Sequence, residues 1–216
     1  MKTTFKTILS TIFITLSIGT FKAQTMEESL TSAVQQMDTS KTMGSMMKAA
    51  ANFDILTNKW PEEYATNYYS AYAKAMISYV EKDAKRKDLF LDQGDKYYEI
   101  AKKIKPENDE TYVLGALLAN ARLVVNGGER WKKYGEIFDT NINAAKAINP
   151  NNPRIYHLKG VALFFTPKMF GGGSKNAMEY LEKANGLFST QDTSSVLKPY
   201  WGKIRNDVFI GKCNDK

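Results

Sequence analysis

The chain has 216 residues, a single cysteine and a formal net charge of +7. One cysteine excludes an internal disulfide, so the fold must rest on its apolar core. The basic excess is modest and its charges are interspersed with acids, as in Glu81-Lys-Asp-Ala-Lys-Arg-Lys-Asp88, which reads as solvated helix ends and makes no case for a nucleic-acid partner.

At the N-terminus, Lys2 and Lys6 precede an apolar run from Ile8 to Ile18, and Ala23 precedes Gln24. This is the anatomy of a secretory signal peptide over residues 1–23, too short and too weakly flanked to span a bilayer. Cleavage there removes three lysines and no acid, leaving 193 residues at +4, enough for one domain over 24–216. No cysteine follows the apolar run to carry a lipid, so the expected compartment is the periplasm or the exterior.

The rest reads as helix almost throughout, without a convincing period-two segment. Thr25 with Glu28 forms a capping box for a first short helix, and Ser40 caps a second. Trp60-Pro61-Glu62-Glu63 opens a third, with proline at its first position and the stripe Tyr64, Tyr68, Tyr72, Ala75, Met76, Tyr79. A fourth runs from about Asp88 to Ile104, and a fifth from an N-cap near Asp109 to Asn126-Gly127-Gly128. A sixth spans Glu129 to Ile148. Asn152-Pro153 starts a seventh, which ends near Thr166-Pro167. Ser174 caps an eighth that ends near Ser189. Gln191 to Ser195 is a linker, and a ninth helix carries Tyr200, Trp201, Ile204, Val208 and Ile210.

Two segments repeat. Ala101, Ile104 and Pro106 in the first match Ala145, Ile148 and Pro150 in the second, and each is followed by Tyr, Leu and Gly: Tyr112, Leu114, Gly115, then Tyr156, Leu158, Gly160. Ala177, Leu181 and Ala184 form a third, partial copy. In a helix pair, the small residue permits close approach, the apolar residue one turn later is expected to fill the gap, and the proline ends the helix. This pattern resembles the tetratricopeptide repeat. The prolines are 44 residues apart, against about 34 in the standard repeat, so either the helices or their turns must be longer.

With "WPEEYATNYYSAYA", "KIKPENDETYVLGALLANARLVV", "AINPNNPRIYHLKGVALFFTPKMFGGG" and "KPYWGKIRNDVFIGKC", the chain is similar to a group of exported tetratricopeptide-like proteins of Bacteroidetes-type bacteria. The resemblance implies an all-α solenoid of stacked antiparallel helix pairs, closed by a C-terminal helix in which Trp201 and Val208 cover the last open face. It carries no catalytic residue over. It also places the first helix of each pair on the concave face, which would draw on Tyr68, Tyr72, Val113, Leu117, Asn120, His157, Val161 and Phe165.

Chemistry-bearing motifs are few. Gly171-Gly-Gly-Ser-Lys175 lacks both the preceding strand and the trailing Ser/Thr of a P-loop, so it reads as a turn between helices, with Phe170 tucked against the helix ends. An anion at the following helix start is the alternative. His157, the sole histidine, has no companions to hold a metal and is expected to pack or make one hydrogen bond. Adjacent acids such as Asp109/Glu110 suit capping and the helix dipole. The expected function is therefore binding without catalysis, cofactor or metal: a groove for a protein or peptide, or alternatively a carrier of a small molecule. An open polar groove favours the peptide, and a closed apolar pocket between Tyr72 and Phe165 favours the small molecule.

Overall fold

The computed structural model describes residues 26–215. The expected leader, its expected cleavage point and the capping box expected at Thr25 lie outside them. The described residues fold as α1 (residues 26–39), α2 (Met43–Lys59), α3 (Tyr64–Val80), α4 (Ala84–Ile104), α5 (Asp109–Val125), α6 (Gly127–Ile148), α7 (Pro153–Phe165), α8 (Ser174–Phe188) and α9 (Lys203–Asn214), with one 3₁₀ turn at Lys168–Phe170. No helix among them is long and apolar enough to cross a membrane.

Several starts differ from expectation for local reasons. Thr42, not Ser40, caps α2: its Oγ1 accepts from Ser45 N at 3.2 Å, and Ser45 Oγ accepts from Thr42 N at 3.1 Å. Ser40 instead donates back to Gln36 O. Residues 60–63 form a turn ahead of α3, because Thr66 and Asn67 take the Trp60, Pro61 and Glu63 carbonyls as side-chain acceptors. Asp83 caps α4 one turn earlier than read. Asn108, not Asp109, caps α5 by accepting from Glu110 N and Thr111 N. Gly127 and Gly128 already belong to α6, leaving Asn126 as the whole link. Gly173, at φ 98°, precedes α8 in the position expected for Ser174. Asn152 and Pro153 open α7 as the sequence indicates.

The helices form antiparallel pairs in two layers. α5 contacts both α3 and α7, and the three form the inner layer, while α4, α6 and α8 each pack outside their partner. Burial follows this division. Every residue of α3 from Tyr64 to Ser78 is buried. α4 buries only Leu91, Gly94 and Ala101, and α6 only Phe138, Ile142 and Ala145. An inner helix is covered on both sides and must be apolar nearly all round, whereas an outer helix needs one stripe.

The repeated small residues sit where helices meet. Ala101, Ala145, Ala177 and Ala184 are fully buried. A Cβ on Gly160 would lie 2.7 Å from Leu181 Cγ, so α7 and α8 can approach this closely only through glycine. The expected role of Ile104 and Ile148 is not met: both are exposed at the ends of α4 and α6. The long repeat is explained by helix length, since α4 and α6 run to 21 and 22 residues.

The C-terminal segment departs most from expectation. Tyr200 and Trp201 precede α9 rather than belonging to it, and Val208 is half exposed. α9 covers the end of the α7–α8 pair through Phe209 and Cys213, which join Val161, Ala177 and Leu181 in a small separate cluster. Residues 191–202 instead run back over the inner layer, where Tyr69 OH donates to Val196 O at 3.2 Å.

Candidate functional site

The inner face of α3 is lined with phenols, and a buried hydroxyl requires a partner. Tyr64 OH bonds Thr111 Oγ1 at 3.0 Å, Tyr68 OH donates to Glu110 Oε2 at 3.0 Å, and Tyr79 OH donates to Asn120 Oδ1 at 2.7 Å. Burial pushes all of these phenols above their ordinary pKa, so they stay protonated donors.

Trp201 enters this layer from the C-terminal segment. Its ring stacks on Tyr72 at 4.9 Å, and its Nε1 donates to Tyr68 OH at 2.8 Å. Arg154 donates to Trp201 O at 3.2 Å and, through Nε, to both Glu110 oxygens at 3.0 Å. The bonds close a ring: Trp201 indole to Tyr68, Tyr68 to Glu110, Arg154 to Glu110, and Arg154 to the Trp201 carbonyl. Gln191 extends it, accepting from Arg154 Nη1 and donating to Pro199 O. Burial disfavours the Arg154 charge, and the Glu110 carboxylate more than restores it, so Arg154 stays ionised. Glu110 thus serves Arg154 and Asn152 rather than merely the helix dipole.

The predicted groove residues converge under this cover. Leu117, Asn120, His157 and Val161 line one narrow internal gap, closed by Trp201 and Arg205. Tyr68 and Val113 are fully buried, and Tyr72 and His157 nearly so. Phe165 stands apart: it is 67 % exposed and packs on Phe164 and Phe209. His157 lies between Phe188 and Trp201, with Nδ1 3.1 Å from Asn206 Oδ1. Asn206 Nδ2 donates to Leu181 O, which turns its oxygen to the imidazole and makes Nδ1 the protonated nitrogen. Burial holds the His157 pKa down to about 4, against the Asn206 hydrogen bond, so the ring is neutral at pH 7.

What stays open is a cleft of about 560 Å³ on the far side of Trp201. Met37 and Asp38 of α1, Met46 of α2, and Tyr72 and Met76 of α3 form one wall. Tyr200, Trp201, Ile204, Arg205 and Val208 form the other. Gly202, at φ 110°, turns the chain from Trp201 into α9, and a Cβ there would meet Phe188 at 2.9 Å. Arg205 lies over the Tyr79 ring at 5.1 Å and donates to Met76 Sδ at 3.7 Å. It has no carboxylate partner among the described residues. The size falls within the range of small-molecule sites, and the walls are mainly apolar and aromatic. A second hollow of about 860 Å³ beside the glycine loop has mixed walls, with Lys168, Lys175, Glu179 and Glu182 beside Phe164 and Met178. No group of three or more His, Cys, Asp or Glu among the described residues is placed to hold a metal.

Asp38 has an unusual setting. Burial raises its carboxyl from 3.8 to about 6. Its ionised form is therefore disfavoured in the folded chain above pH 6, and that penalty fades as pH falls from 6 towards 3.8. Asp38→Asn should accordingly raise Tm at pH 8 and change it little at pH 4.5. Equal shifts at both values, read by thermal melts, would mean that burial of the charge is not the cause.

Sequence reading missed Arg154, Arg205 and Asp38. Arg154 had one available signal: a cation in the first turn of a helix opposes the macrodipole and implies a specific partner. Arg205 and Asp38 had none, since their meeting depends on how α1 and α9 are docked.

The fold and cleft together describe an all-α protein of paired helices with one aromatic-walled cleft under its C-terminal segment. No family model and no curated protein matches the sequence. Among solved structures, the chain is similar to the HusA haemophore from Porphyromonas gingivalis, with a TM-score of 0.73 and 24% identity over 89% of this chain and 92% of that one. The likeness establishes the all-helical fold.

Proposed function

We propose that the chain is an exported carrier, periplasmic or secreted, of a small flat molecule that is largely apolar and bears an acidic group. The observation that carries this reading is the cleft itself, where stacked aromatic and methionine walls meet the guanidinium of Arg205. A ring system can lie along Trp201 and Tyr200, and a carboxylate can pair with Arg205. The similar fold is that of a haemophore, and haem has these properties: a broad apolar ring with carboxylates at its edge. In this reading the cleft holds its ligand by stacking, apolar contact and one charge pair, and it performs no chemistry. A tetratricopeptide-like groove for a protein or peptide is less well supported, because residues 191–206 lie over the face it would need.

The test uses haemin and iron-free protoporphyrin, titrated separately into the chain and followed by the Soret band and by tryptophan quenching. Both should saturate at one per chain. Arg205→Gln should weaken both by about tenfold, the scale of one charge-assisted hydrogen bond. Absence of saturation with either porphyrin, or unchanged affinity in the variant, would sink the reading.

A further inference from the structure

The glycine motif has no part in the cleft, and its geometry serves another end. Five successive residues, 167–171, are exposed at the α7–α8 turn, and among them Met169 is 82 % and Phe170 72 % exposed. Phe170 was expected to fold back on the helix ends, and it does not. The turn is held shut by its own backbone. Phe170 N and Gly172 N donate to Pro167 O at 2.9 and 3.2 Å, and Gly173 N donates to Leu163 O at 2.9 Å. Gly171 and Gly173 have φ of 82° and 98°, and a Cβ on the buried Gly172 would collide with Thr166 O. The three glycines thus close a tight knob that fixes two large apolar side chains outward, where collapse onto the protein would otherwise hide them.

The knob's own charges are positive: Lys168 and Lys175 flank it, no acid lies between Pro153 and Met178, and Glu179 and Glu182 of α8 face the adjoining hollow. Lys168 and Lys175 are exposed and form no ion pair among the described residues. Lys212 joins from α9, lying over Phe209 at 4.9 Å, and Phe209 in turn contacts the exposed Phe165 at 5.8 Å. We infer that this knob is a docking point for the surface of an anionic lipid bilayer, with Met169 and Phe170 entering the headgroup boundary and Lys168 and Lys175 pairing with lipid phosphates. A protruding tip suits a soft surface better than a protein partner, which would need a broad, complementary patch. Apolar side chains flanked by lysines match the interfacial mode of binding, and two such residues give reversible attachment.

The experiment is co-sedimentation of the chain from residue 24 onward with vesicles of phosphatidylethanolamine and phosphatidylglycerol, and with vesicles of phosphatidylcholine alone. The chain should pellet with the anionic vesicles and much less with the neutral ones. The double variant Met169→Ser/Phe170→Ser should lower the partition coefficient about tenfold. Lys168→Glu/Lys175→Glu should do likewise for anionic vesicles only. All four positions are exposed, so melting temperatures should stay at the wild-type value and separate lost docking from lost folding. Failure of the wild type to pellet, or pelleting of the serine variant as wild type, overturns the inference. So does concentration-dependent self-association that only the serine variant abolishes, which would assign the knob to a second copy of this chain.

Discussion

Arg154→Met is expected to destabilise the chain by about 3–5 kcal/mol, the cost of leaving a buried carboxylate without its partner. The substitution strands Glu110, which is buried among Tyr68, Asn152 and Arg154, and it removes the bonds to Trp201 O and Gln191. Urea unfolding measures the loss. The double variant Arg154→Met/Glu110→Met should lie well above the sum of its singles, because it removes both charges together. If the single variant loses under 1 kcal/mol, the pair does not hold the C-terminal segment in place.

Trp201→Ala is the second large effect, with an expected loss of about 3–5 kcal/mol for a buried aromatic truncated in a packed site. Here the loss has a functional companion. The indole is one wall of the open cleft and the lid of the gap beneath it. The variant should therefore bind haemin at least about tenfold more weakly even at temperatures where it is fully folded, because a stacking surface is gone. Trp201→Phe keeps a ring but loses the bond to Tyr68 OH, and should fall between the two. Unchanged haemin affinity in Trp201→Ala would move the ligand away from this cleft.

Both variants test one arrangement: a C-terminal segment clamped onto the inner helices by polar bonds inside an aromatic layer. The clamp gives Tyr68 and Tyr72, tyrosines at helical spacing, a buried partner each. The same Tyr68 and Tyr72 that suit an open recognition face also suit a buried one, provided each hydroxyl finds a partner. Tyr68 finds Glu110 and Trp201, 42 and 133 residues further along the chain. Spacing along one helix carries no information about such partners.

The sequence by itself determined the helical class, the number and order of the helices to within a turn at their starts, and the close contacts between paired helices. These depend on local chemistry: capping side chains, proline at a helix start, and small residues recurring at Ala101, Ala145, Gly115 and Gly160. It also marked the glycine loop as a turn. Only the tertiary structure decided that residues 191–206 cover the inner layer, that Phe165 stands apart from the other predicted groove residues, and that Arg205, Asp38, Tyr72 and Met76 line one cleft. The physical reason is that side-chain periodicity tells which face of a helix is apolar. It does not tell which remote segment will bury that face, and here the segment after α8 covers it.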